Sequence, residues 1–120
     1  MKIKDYKAAV TGVLEKKLEA VSEDVQSSEE ASGFAYELAC DAELIGNLLK
    51  AVSATKEDMN ERIYKGIQFS LSKNFKAVCT QAAALKENKA FTKGRKASVV
   101  CCKQLCKEIY KNDRKSEGNS

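Results

Sequence analysis

Apolar residues recur along this chain at steps of three and four. From Tyr6 they fall at Val10, Val13, Leu14, Leu18, Val21 and Val25, the spacing that lines one face of an α-helix, and it predicts a first helix over about residues 4–25. The phase breaks between Ser22 and Ser28, where Ser27 stands three residues before Glu30 in the arrangement of a capping box. There a hydroxyl accepts an orphan N–H and the carboxylate reaches back. A second helix is expected to start at that point, with Ala31, Ala35, Leu38, Ala42, Ile45, Leu49 and Val52 facing inward. Three of those seven are alanines, so its N-terminal end can approach a neighbour closely.

The next break is Ser53-Ala54-Thr55, with Thr55 three residues before Asp58 as a second capping signal. Met59, Ile63, Ile67, Leu71, Phe75, Val78, Ala82 and Leu85 then keep the helical step, which predicts one long helix over about residues 55–87. Gly66 costs such a helix roughly 1 kcal/mol relative to alanine and marks a bend or a close crossing. Glu87-Asn88-Lys89 interrupts, and a fourth helix is expected to begin between Phe91 and Gly94 and to end near Asn112. Its apolar side holds Ser98, Val99, Cys102, Leu105, Cys106 and Ile109, and the polar tail from Asp113 to Ser120 is expected to be disordered. The pattern predicts an all-α fold: one helical domain over residues 1–112, an antiparallel bundle of about four helices with the third long.

Composition narrows the chemistry. The 120 residues include no proline, tryptophan or histidine, and Ala, Lys, Glu, Leu and Val dominate, the usage of long helices. No apolar run approaches the roughly 20 residues that span a bilayer. Met1-Lys2-Ile3-Lys4-Asp5 leads into a charged amphipathic pattern, not a signal-peptide core, so a cytoplasmic location is expected. The five cysteines, Cys40, Cys79, Cys101, Cys102 and Cys106, are odd in number and irregular in spacing, unlike a secreted disulfide framework. They are expected to be reduced and mostly buried. Cys102 and Cys106 share the apolar stripe of helix four, and CCKQLC is not the Cys-x-x-Cys knuckle of a zinc site. No metal site and no cofactor are expected.

Without histidine no side chain titrates near neutrality unperturbed. Asp41 and Glu43 in helix two, and Glu57, Asp58 and Glu61 at the start of helix three, read as solvated faces and as acids at a helix N-terminus. The six glycines stand far apart and form no phosphate-cradling loop. No catalytic residue is assigned, and a non-enzymatic protein is expected.

Charge distribution carries the remaining signal. Residues 1–83 hold eleven Lys and Arg against thirteen Asp and Glu, whereas residues 84–120 hold ten against four. On helix four Lys96, Lys103, Lys107, Lys111 and Arg114 fall close to one line away from the cysteines, Lys89 and Lys93 join it if the helix begins early, and Arg95 is its neighbour. Lys93, Arg95, Lys96, Lys103, Lys107, Lys111 and Arg114 are therefore the candidate residues for an anionic partner. The expected function is a small non-catalytic interaction protein that binds a protein partner or itself. The alternative is a nucleic-acid or ribonucleoprotein binder that reads backbone charge without sequence specificity, and the plain alternative to both is a solvated helix surface.

Overall fold

The computed structural model describes residues 1–22, 28–53 and 58–118. They form four helices, α1 (Ile3–Ser22), α2 (Glu29–Ser53), α3 (Glu61–Ala84) and α4 (Lys89–Gly118), so the all-α bundle read from the periodicity is the fold. The boundaries follow local capping. Ser27 and Thr55 lie outside the described residues, as does any continuation of α1 to residue 25. Ser28 Oγ accepts from Ala31 N at 3.2 Å. α3 begins at Glu61, not near residue 55, because extended Asn60 (φ −140°, ψ 170°) caps it and accepts from Ile63 N. Just before that cap the chain is held straight: Met59 N donates to Met1 O at 2.8 Å, and Lys2 Nζ pairs with Asp58 at 2.9 Å.

α4 departs most from expectation. It begins at Lys89, because Asn88 Oδ1 accepts from both Ala90 N (2.9 Å) and Phe91 N (3.1 Å). It also continues through the segment expected to be a disordered tail, as far as Gly118. Two contacts hold that extension: the N-terminal ammonium of Met1 lies 3.5 Å from Asp113, and the Arg114 guanidinium sits over the Tyr110 ring at 5.8 Å.

The helices run up, down, up, down, so α2 and α4 are parallel, and their pairing is seen where Glu37 meets Arg95 and Asp41 meets Ser98. They form the spine of the molecule. α1 packs against α2 and α4 from one side, and α3 packs on α4 from the other, its backbone farther from α2, which it meets through side chains. The close approach is made by two glycines. A β-carbon on Gly33 would fall on the Phe91 carbonyl oxygen, and one on Gly94 would fall on the Glu30 carbonyl oxygen. Gly66, the glycine expected to bend or cross, has nothing near its missing side chain; the N-terminal end of α2 does approach a neighbour, but through Gly33 and not its alanines.

Around this spine Ile3, Tyr6, Val10 and Leu14 of α1, Leu38, Ile45 and Leu49 of α2, Ile63, Ile67 and Leu71 of α3, and Val99, Cys102, Cys106 and Tyr110 of α4 make one buried core. Tyr6 satisfies its hydroxyl inside it by donating to Cys106 O at 2.8 Å. The glycines give a paired prediction. Gly33→Ala or Gly94→Ala forces backbone from backbone and is expected to destabilise by about 3 kcal/mol, the upper part of the overpacking range. Gly66→Ala, in an exposed helical position, is expected to stabilise by about 0.5–1 kcal/mol. Urea unfolding of the three variants checks both signs.

Candidate functional site

A chain of polar side chains runs through the interior where α2, α3 and α4 meet. Ser98 Oγ donates to Asp41 Oδ2 (3.3 Å), and Asn74 Nδ2 donates to Asp41 Oδ1 (2.8 Å) and to Glu37 Oε2 (2.9 Å). Arg95 Nε donates to Glu37 Oε1 (3.1 Å), Arg95 Nη1 donates to Glu87 Oε1 (2.9 Å), and Thr92 Oγ1 donates to Glu87 Oε2 (2.6 Å). Glu37, Asp41, Arg95 and Ser98 are all buried. No buried side-chain nitrogen or oxygen among the described residues lacks a partner, so the network meets the condition under which buried polar groups are tolerated.

Two sequence expectations are corrected here. Asp41 is not on a solvated face. It stands four residues after Glu37, within the arc of Leu38 and Ile45, and is fully buried. Burial, reinforced by the hydrogen bond and negative charge of Glu37, pushes its carboxyl up to about 8, against the opposing bonds from Ser98 and Asn74. Arg95 does not belong to an exposed basic line, because it lies on the inner side of α4 with both carboxylate partners beside it. Burial works against its charge, but the bonds from Glu37 and Glu87 outweigh that and raise its pKa.

The cysteines divide. Cys102 and Cys106 are buried, Cys79 and Cys101 are half-buried, and Cys40 is exposed, so the expected burial holds for Cys102 and Cys106, is partial for Cys79 and Cys101, and fails for Cys40. Burial pushes the Cys106 thiol up to about 11 against the Tyr6 hydroxyl, and burial with the Asp41 charge raises Cys102 further. Such thiols are poor nucleophiles. Even Cys40 is raised, by partial burial and by the Glu37 and Asp41 charges. Among the described residues no group of three Cys, Asp or Glu side chains could hold a metal ion.

The remaining candidates are outside. Lys93, Lys107, Lys111 and Arg114 are exposed, Lys96 and Lys103 half-buried, and Lys103 Nζ donates across the seam to Ser72 Oγ at 2.7 Å. Val100, 57 % exposed, stands in the middle of this stripe. The seam between α3 and α4 opens there into a groove of about 390 Å³ lined by Tyr64, Gln68, Val100, Lys103, Gln104 and Lys107. Residues 61–115, the α3–α4 hairpin, carry fourteen Lys and Arg against four Asp and Glu, whereas residues 1–60 carry seven against twelve. The charge boundary therefore falls before α3, earlier than the division at residue 83, because Arg62, Lys65, Lys73 and Lys76 are exposed on the same hairpin.

Comparison of the chain with protein-family models, curated proteins and solved structures gives no match. Among the described residues no helix is long and apolar enough to cross a membrane.

The interior network predicts a pH dependence. Asp41 in the unfolded chain ionises near pH 4, so between about pH 4 and its folded value of about 8 the folded protein holds the extra proton and stability falls as pH rises. Asp41→Asn supplies a neutral group whose Oδ1 can still accept from Asn74, while its Nδ2 donates to the Ser98 hydroxyl, which turns to accept. Its stability relative to the parent is expected to rise across that window, by at most about 1.4 kcal/mol per pH unit, measured by urea unfolding at pH 5, 6.5 and 8. For the thiols, native maleimide labelling followed by mass spectrometry is expected to modify Cys40 first and to leave Cys102 and Cys106 untouched until the chain unfolds.

Proposed function

We propose that this protein is a non-catalytic interaction module that docks an acidic protein surface on its α3–α4 seam. The observation that carries the reading is a surplus of unengaged positive charge around an apolar point: among the described residues Lys93, Lys96, Lys107 and Lys111 pair with no carboxylate, and exposed Val100 lies between them in the groove. Lysines at the rim steer an acidic partner and set its salt dependence, while a desolvated apolar centre contributes affinity. The buried carboxylates support the same reading from the other side. They are enclosed by hydrogen bonds within the bundle, where they hold helices together.

A second reading rests on the line of basic side chains along α4. Lys89, Lys93, Lys96, Lys103, Lys107, Lys111 and Arg114 recur at steps of three, four and seven residues, about one or two helical turns of roughly 5.4 Å each. That is also suited to a nucleic-acid backbone, which needs no apolar centre. Exchange of Lys107 and Lys111 together for glutamate, both solvent-facing, is expected to shift stability by only about 0.5 kcal/mol per site. It should abolish capture of the partner from nuclease-treated native extract, and the neutral exchange Val100→Ser should weaken that capture without changing its salt dependence. Undiminished capture by the double variant contradicts the docking surface. Capture that disappears with nuclease, together with a raised 260/280 absorbance ratio of the purified protein, favours nucleic acid.

A further inference from the structure

At the turn joining α3 to α4 the hairpin opens into a concavity of about 470 Å³, separate from the groove at Val100. Its floor is small, formed by Cys79, Ala82 and Ala83, and its rim is basic, formed by Lys86, Lys89, Lys93 and Lys96. Among the described residues none of these four lysines is paired with a carboxylate. The single acid in the lining is Glu87, and both of its oxygens are already used, one by Arg95 and the other by Thr92. Buried Arg95 thus withdraws the only carboxylate that could neutralise the rim. α4 starts at Lys89 and α3 ends at Ala84, so the opposed ends of the two helix dipoles largely offset and the field of the turn is that of its lysines. Asn88 occupies the N–H groups of Ala90 and Phe91, which leaves the ammonium groups as the donors available to a ligand.

Lys86 completes the rim. It is the one non-glycine residue with positive φ among those described, at 52°, in the left-handed position that ends a helix: Glu87 N donates to Ala82 O at 2.9 Å and Lys86 N to Ala83 O. Glycine is the favoured residue there. A lysine in that conformation is strained and places a fourth positive charge on the rim. From the concavity and its unpaired basic rim we infer that the α3–α4 turn is a binding site for a compact, multiply charged phosphate group of the pyrophosphate class. Lysine ammonium groups act as point charges that accept phosphate oxygens from varied directions, and the volume lies in the roughly 300–1,000 Å³ range of small-ligand sites. The site goes beyond the docking surface proposed above: it shares Lys93 and Lys96 with that surface's edge, but its floor and Lys86 and Lys89 lie outside it, and Lys107, Lys111 and Val100 take no part in it.

The test is titration of the full chain with sodium pyrophosphate at low salt, followed by backbone amide chemical shifts. Saturable shifts confined to about residues 79–96 are expected. Lys86→Gly relieves the left-handed strain, so its melting temperature should be unchanged or higher, while its pyrophosphate affinity should fall at least fivefold. Lys16→Ala, which removes the same charge from exposed α1, should leave affinity as it is, and so should the Lys107→Glu/Lys111→Glu variant. Absence of saturation, shifts spread evenly from Lys89 to Arg114, or a Lys86→Gly variant that binds like the parent would overturn the site. Phosphatidylcholine vesicles with and without a phosphoinositide separate the sources of the phosphate. Cosedimentation only with the phosphoinositide, displaced by pyrophosphate, assigns a lipid headgroup, and pyrophosphate binding with no cosedimentation assigns a free anion.

Discussion

Two glycines let α2 and α4 meet backbone to backbone, and the other features of the bundle follow from that contact. In a four-helix arrangement of alternating direction, α2 and α4 stand diagonally, normally separated by side chains from all four helices. Gly33 and Gly94 remove that separation at one end of the molecule. The diagonal pair becomes the spine, α1 and α3 become flanks, and α3 lies closer to α4 than to α2, which it reaches through side chains. The α3–α4 seam is left shallow and open, which is where the lysine-lined groove and the concavity at the turn are found.

The same approach explains why charged groups are tolerated inside. Beyond the crossing Glu37 and Asp41 face Arg95 and Ser98 across the spine, and Asn74 from α3 reaches both carboxylates. A buried carboxylate without such partners is strongly destabilising. With them, the network specifies the register of three helices at once, because a shift of α3 by one turn would take Asn74 away from both acids. Glu87 extends the network to the surface, and by engaging Arg95 it links the interior to the charge on the turn. Removal of Glu37 would leave Arg95 half-paired, so the interior and the basic rim are coupled through one guanidinium.

Much of this fold was legible in the sequence. Three- and four-residue spacing located all four helices and the core faces of Leu38, Ile45 and Leu49, and of Cys102 and Cys106. Helix ends were harder to place, because Asn60 and Asn88 cap through a single side-chain oxygen and compete with other plausible caps nearby. Asp41 was misplaced for a different reason, and Glu37 was not singled out. Both sit inside the apolar arc of α2, where position on the wheel signals burial, but residue type outweighed position. Arg95 was misplaced in the same way: it stands four and seven residues before Val99 and Cys102, on their side of α4, and its charge outweighed that position. The crossing glycines carried only a weak signal, since a mid-helix glycine costs about 1 kcal/mol without saying which neighbour compensates; Gly66 shows the same signal with no crossing behind it. Groove and concavity depend on how far α3 stands from α4, a distance no periodicity records.

Residue-resolved native-state hydrogen exchange tests the spine most directly, since local openings of different size report which helices are held together. Amides of α2 and α4 flanking Gly33 and Gly94 are expected to exchange only through global unfolding, while α3 opens at a distinctly lower free energy. Equal protection in α3 and α2, or earlier exchange around the glycine crossing than in α3, would contradict the account.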